Sequence, residues 1–417
     1  MLTATGAAIK QTGKVVPTMH RLRTIIGLIM IGFFAACAAP PRDEPIEFRV
    51  AMIRLSGELM GQFRGSQSIL KQVTDKVTDT SRTNRFIVDP FVDGDTGDVT
   101  QTSETIVSIF TDAVQSPPNN YSVLPISNEN LRQAGFVVVG TIRFENYAGL
   151  SRKLYRVHAS VVDIASGDIL ANAAVWVANR KLDDAPVSIY KDSPMFLKDN
   201  VVQKQLDAAE TPAGPGRATS YVRSLGSGTT TNDGASALGR QDYDTAINLF
   251  TRSIGQTDGR TMKNYAGLYE AYYRSHQLNA AAQAFSDLFA LGAQNNNITV
   301  RFLFTVNSTA FFNNTDITAQ YDLWLRRISL YLDATGQCMS VVGHSSHTGT
   351  AEYNLALSLR RAQRIREILV SHAPRIGQRL NAIGRGFEEN IIGSGTDDDQ
   401  DAIDRRVEFR QRDCQTG

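Results

Sequence analysis

Gly343-His344-Ser345-Ser346-His347-Thr348-Gly349 follows a β-prone run, Met339-Ser340-Val341-Val342, as a glycine-closed turn follows a strand. Beyond it, from Thr350 to Val370, the apolar residues Tyr353, Leu355, Leu357, Leu359, Ala362, Ile365, Ile368 and Leu369 fall mostly at helical spacing. Thr350 is placed to open that helix. Arg360, Arg361, Arg364 and Arg366 crowd its middle, and an arginine run alone reads as a solvated face. The glycine turn before the helix and Asp404-Arg405-Arg406-Val407-Glu408 after it single out Arg361. A guanidinium aimed at a cleft suits a carboxylate, held through a bidentate pair.

Gly343-His344-x-x-x-x-Gly349, Asn354-x-x-Leu357-Ser358-x-x-Arg361-Ala362, Ile383-Gly384-Arg385-Gly386-Phe387-Glu388 and Asp404-Arg405-Arg406-Val407-Glu408 come in this order over the last third of the chain. The set resembles the OmpA-like peptidoglycan-binding domain, with its G-H-T-D-x-x-G, N-x-x-L-S-x-x-R-A and N-R-R-V-E motifs. The resemblance implies a non-covalent tether to the wall peptide, with Thr305, Ser346, Thr348, Asn354, Leu357, Arg361, Arg405 and Arg406 at the matching positions. In that family an acid after the first strand and the aspartate of G-H-T-D help to hold diaminopimelate. Here the first strand reads Val300 to Asn307, and the two acids are matched by Thr305 and Ser346. A hydroxyl accepts a hydrogen bond but does not neutralise an ammonium, and charge-assisted hydrogen bonds are roughly twice as strong as neutral ones.

Near the N-terminus, Arg21 and Arg23 precede the apolar run Ile25 to Phe34, then Ala35-Ala36-Cys37. A charged segment, an apolar segment too short for a membrane span of about 20 residues and a small-residue cleavage site make a signal peptide. With cysteine directly after the small residues it resembles a bacterial lipoprotein signal, cut before Cys37, with Met19 as a plausible start. Acylation of Cys37 is then implied, and at about 0.8 kcal/mol per buried methylene several chains anchor nearly permanently. Ala38, where an aspartate would signal inner-membrane retention, points to the outer membrane with the body in the periplasm. In that oxidising compartment the two remaining cysteines, Cys338 and Cys414, at the ends of expected strands, are either disulfide partners or two free thiols.

The charge balance is bland, a net +1 with 42% hydrophobic residues, and gives no basic surplus for nucleic acid. His344 and His347 lie three apart in the turn, and no C-x-x-C exists, so neither a metal nor another cofactor is expected. Asp397 to Asp401 lacks the alternating ligands of an EF-hand and suits the start of a short helix before Asp404. Serines near histidines have no G-x-S-x-G elbow. Nothing assembles a catalytic constellation, and an enzyme is not expected.

Residues 47–200 read as an α/β domain. Expected there are an opening strand at Glu47 to Met52 and a strand at Phe86 to Phe91. A helix from Glu104 to Val114 is capped by Ser103, a buried strand runs from Val137 to Ile142, and a hairpin turns at Ser166-Gly167-Asp168. Gly140-Thr141-Ile142, then Val157 to Asp163 and Ser166-Gly167, loosely resembles the periplasmic domain of FlgO-, LpoB- and CsgG-type lipoproteins. The Pro-, Gly-, Ser- and Thr-rich text over 201–232 has linker composition, with room for a short helix at Val201 to Ala209. From 233 to 293, Tyr243, Ala246 and Phe250 recur as Leu278, Ala281 and Phe285 about 35 residues later, close to the 34-residue tetratricopeptide period. That pair is either a groove for a partner protein or a helical spacer, and two repeats need a neighbour to lean on.

The expected fold class is thus α/β multidomain: signal 1–36, tether 37–46, FlgO-like α/β domain 47–200, linker 201–232, tetratricopeptide-like all-α segment 233–293 and OmpA-like α/β sandwich 298–415. The expected function is an outer-membrane lipoprotein that binds the peptidoglycan peptide and sits in outer-membrane lipid through Cys37. The alternative is a scaffold in a secretion, flagellar or envelope assembly whose OmpA-like domain has lost wall binding.

Overall fold

The first element is a helix where a strand was expected. In α1 (Phe48–Val73) the residues Ala51, Met52, Leu55, Leu59, Met60 and Phe63 are buried, a stripe of helical period that the six residues from Glu47 are too few to reveal. Glu47 accepts a hydrogen bond from Val50 N at 3.1 Å and opens the first turn. Just before it, Ile46 makes a single parallel bridge to Val177. The computed structural model describes residues 44–73, 84–119, 121–147, 152–179, 181–191, 193–305, 307–311, 315–391 and 404–414. The expected signal, Cys37 and tether, and the acidic run at 397–401, lie outside these.

The N-terminal sheet comprises β1 (Arg85–Val88), β2 (Val92–Asp93), β3 (Ser122–Leu124), β4 (Phe136–Asn146), β5 (Lys153–Asp163) and β6 (Ile169–Val177), in the order β3-β1-β4-β5-β6 with β2 on β4. β1 runs parallel to β3 and β4, whereas β4, β5 and β6 form an antiparallel meander. Burial on both faces explains the unbroken apolar run of β4. Phe136 and Val138 face α1 and α2 (Gln101–Gln115), and Val137 and Val139 face the opposite core with Ala208, Ala209 and Tyr221. Thr100, rather than Ser103, is the N-cap of α2. Ser103 is the third helical residue, and the two side chains satisfy each other's backbone N–H in a capping box.

The segment expected to be a linker is helical and packed. After α3 (Asn128–Leu131) and α4 (Ser188–Lys191) come α5 (Asn200–Glu210), capped by Asp199, and α6 (Thr219–Gly239). In α6 the hydroxyls of Thr230 and Thr231 donate to the carbonyls of Gly226 and Ser227 at 3.1 and 2.8 Å, so they are buried without loss of partners. Small residues also let a neighbour approach closely. A Cβ on Gly234 would stand 2.9 Å from the Phe250 ring. α6 therefore packs on α7 (Tyr243–Ile254), and α8 (Met262–Arg274) on α9 (Leu278–Gln294), so the helical region begins at 219 rather than 233.

That region shares its core with the C-terminal sheet. Phe285 of α9 stacks on Trp324 of α10 (Thr315–Thr335), ring centroids 5.9 Å apart at 9°, and Trp324 Nε1 donates to the Tyr269 hydroxyl at 2.6 Å. The C-terminal elements are β7 (Thr299–Val300), α10, β8 (Cys338–Gly343), α11 (Ala351–His372), β9 (Leu380–Gly384) and β10 (Val407–Arg412), with strand order β7-β10-β8-β9. The first strand is only two residues, not the expected run from Val300 to Asn307. Arg301 N donates to Pro194 O, and Leu303 N to the Tyr321 hydroxyl, so partners outside the sheet take those backbone groups. The Arg301 side chain pairs with buried Asp98 and lies over Phe196. A disulfide joins Cys338 at the start of β8 to Cys414 past the end of β10, with Cα atoms 5.2 Å apart.

Candidate functional site

The turn after β8 is shaped by how closely α11 lies on the strand ends. A Cβ on Gly343 would stand 2.1 Å from Ser358 O, and one on Gly384 would stand 2.6 Å from Leu355 O, so only glycine fits at these two positions. The turn then hangs from neighbouring backbone. His344 N donates to Arg406 O at 3.0 Å and Ser345 N to Gly386 O at 2.8 Å. Thr350 caps α11, accepting from Tyr353 N at 3.3 Å. Asn354 Nδ2 donates to Thr348 O at 2.6 Å and Thr350 O at 3.1 Å, tying helix to turn, and the Ser346 and Thr348 hydroxyls are 3.5 Å apart.

Asn354, Leu357, Ser358 and Arg361 recur at helical spacing on one buried face of α11. Arg361 is 1% exposed. Its Nε donates to Ser308 O at 3.0 Å and an Nη to Thr305 O at 3.2 Å, and its guanidinium lies over the Phe304 ring at 5.0 Å. Of the expected residues, then, Ser346, Thr348 and Asn354 make one bonded group and Thr305 and Arg361 another, both along α11. Thr305 meets Arg361 through its carbonyl. Its own hydroxyl turns to Phe311 O at 3.4 Å.

Arg406 belongs to a different constellation. Its Nε donates to Glu408 at 2.8 Å and an Nη to Glu389 O at 3.0 Å. Arg410 pairs with both Glu408 and Glu389, and Arg385 stands 3.5 Å from Glu389. Arg405 is half-buried beside it in sequence. Burial works to raise the Glu408 carboxyl, but hydrogen bonding to His344 and the charge of Arg406 hold it well below the usual carboxylate range. His344, fully buried with Nε2 3.5 Å from Glu408, is pushed below its ordinary value chiefly by burial. His347 instead lies against Phe387, ring centroids 4.2 Å apart.

His344, Glu389 and Glu408 bring three donor atoms within 4.8 Å of one another, a set a cation could use. The guanidiniums of Arg406 and Arg410 already occupy these carboxylates, and a metal would have to displace them against their own charge. The cluster is an ion-pair network that fixes the end of β10. Sequence reasoning placed Glu408 only as a motif letter, and nothing local marked Glu389 or Arg410 as its partners.

Residues 311–404 match the model of the OmpA family. Outer membrane porin F of Pseudomonas aeruginosa is 41% identical over 69 residues, 16% of this chain and 19% of its own. The peptidoglycan-associated lipoprotein of Pseudomonas putida is 36% identical over 80 residues, 19% of this chain and 47% of its own. Among solved structures, the peptidoglycan-associated lipoprotein from Burkholderia pseudomallei aligns at 24% identity with a TM-score of 0.23, covering 28% of this chain and 92% of that one. The chain spans less than half the length of these curated relatives. Its C-terminal region is an OmpA-family domain.

Proposed function

We propose that the protein is an outer-membrane lipoprotein, acylated at Cys37, that holds peptidoglycan non-covalently through its OmpA-family domain. The observation that carries the reading is the corner of β8 and α11, where Asn354 fixes the turn and Arg361 faces the loop after β7. Matches to peptidoglycan-associated lipoproteins support it, as does the order Arg21, Arg23, apolar run, Ala35-Ala36-Cys37. In this reading Ser346 and Thr348 offer hydroxyls to the wall peptide in place of an acid. Arg361 shapes the Thr305 loop from beneath, and Arg405 and Arg406 border the turn. In the same reading the tetratricopeptide-like helices expected over 233–293 offer a surface for a partner protein, and the α/β region is FlgO-like. The role is binding rather than catalysis.

One observation favours the scaffold reading: both positions for an acid carry hydroxyls, leaving no side-chain carboxylate at either to meet a diaminopimelate ammonium. Full-length protein in detergent, pulled down on purified sacculi, separates the two. Wild type should bind, and Ser346→Asp should bind about tenfold more tightly, since a hydrogen bond to a charged group contributes about 1–1.5 kcal/mol more than a neutral one. Failure of both to bind would leave the scaffold. Cys37→Ala should in turn release the protein from the membrane fraction, and unchanged membrane association would remove the anchor from the proposal.

A further inference from the structure

A partly enclosed cavity of ≈ 90 Å³, sharing no lining residue with the β8–α11 corner, sits where the sheet's parallel strands end against the helices. Asp89 directly follows β1, and Ile126 lies just beyond β3. β1 has a parallel neighbour on each side, β3 and β4, and the chain crosses over it in passing from one to the other. Such a switch in an open sheet leaves a crevice beyond the strand carboxyl ends, where ligands bind. Here α4, α6 and α8 roof it with Tyr190, Tyr221 and Lys263.

Its charged lining is Asp89, Lys263 and Asp199, and the Asp199 carboxylate is already taken by the backbone N–H groups of Val201, Val202 and Met262. Asp89 accepts from the Tyr221 hydroxyl at 2.8 Å. Lys263 Nζ donates to Asn232 at 2.8 Å and lies over the Tyr190 ring at 5.1 Å. Each of the two charges acts on the other across the cavity without a direct ion pair. Burial pushes the Asp89 carboxyl up to about 6 and the Lys263 ammonium down to about 8. Desolvated charges are costly unless each meets a counter-charge. A guest bearing both charges would satisfy both.

We infer that this cavity binds a small zwitterion of amino-acid size, with its ammonium on Asp89 and its carboxylate on Lys263. At ≈ 90 Å³ the cavity has room for more than a single water, which needs about 10–15 Å³. That room favours glycine, alanine or serine over the bulkier leucine.

Full-length protein in detergent is titrated calorimetrically with glycine, L- and D-alanine, serine and leucine, and with acetate and methylammonium as single-charge probes at matched ionic strength. At least one small amino acid should give saturable heat, with each single-charge probe and leucine about tenfold weaker or more. Asp89→Asn and Lys263→Met should each weaken the amino acid by a similar factor while the far-ultraviolet dichroism stays that of wild type. The wild-type titrations decide without the variants. No saturable heat from any small amino acid, or acetate binding as tightly as glycine, overturns the inference, and so does unchanged affinity in both folded variants.

Discussion

Truncating Phe285 to alanine tests whether the α9 helix and the OmpA-family domain share one core. Phe285 is fully buried, stacked on Trp324 and edge-on to Tyr269 with ring centroids 5.9 Å apart in each case. Phe→Ala in a core costs about 3–5 kcal/mol through lost transfer energy and the cavity left behind. Each aromatic pair adds about 0.5–1.5 kcal/mol beyond buried area, which places Phe285→Ala in the upper half of that range. The chain has two tryptophans, Trp176 on β6 and Trp324 on α10, so Trp176→Phe leaves a fluorescence reporter inside the shared core. In urea unfolding of that single-tryptophan protein, Phe285→Ala should lower the stability reported by Trp324 by about 4–5 kcal/mol. A loss under about 1 kcal/mol would refute the continuous core, because a residue of a detached helical spacer would leave Trp324 undisturbed.

Reduction of Cys338–Cys414, or Cys338→Ser, should cost up to about 4.5 kcal/mol, the unfolded-state entropy of closing a loop of 76 residues; an unfolding midpoint indifferent to reductant would contradict it. Gly343→Ala sets a methyl 2.1 Å from Ser358 O, and the overpacking should cost about 1–3 kcal/mol in the same denaturation assay. Because the folded-state pKa of Glu408 lies below its unfolded value of about 4.3, the unfolded chain binds the extra proton on acidification. Its stabilisation is complete above that value and is lost as pH falls below it. Glu408→Gln should flatten the acid limb of a stability–pH profile, and parallel profiles would count against the network.

Legibility in the sequence followed how local each signal was. The hairpin at Ser166-Gly167-Asp168 is written in adjacent residues, and β5 and β6 pair around it as expected. The turn at Gly343 and the face of α11 are likewise local patterns. α1 was misread because a β-prone hexamer and the start of an amphipathic helix are alike until Leu59 and Phe63 come into view. The short helix expected at Val201 to Ala209 is α5, but the linker reading fails beyond it because glycine, serine and threonine serve linkers and close-packed helices alike. What distinguishes them is Phe250 pressing on Gly234, a contact across sequence. The first strand stops after Val300 because Pro194 O, far away in the chain, and the Tyr321 hydroxyl take the backbone N–H groups of Arg301 and Leu303. The cavity at Asp89 and Lys263 had no local signature, since each residue alone is an ordinary charge.

Ile46 acquires a mechanical meaning if the protein links a lipid surface to a wall. It is held to β6 by two backbone hydrogen bonds, Ile46 N to Trp176 O at 3.2 Å and Ala178 N to Ile46 O at 2.7 Å, in parallel alignment. A pull arriving from the N-terminal side loads both bonds along the strand axis, in shear, so they share the force rather than peel open one after the other. Behind them the tension passes into the β4–β6 meander and then, through Asp98 and Arg301, toward β7. Such a body carries a pull as a tie, through strands already hydrogen-bonded to one another.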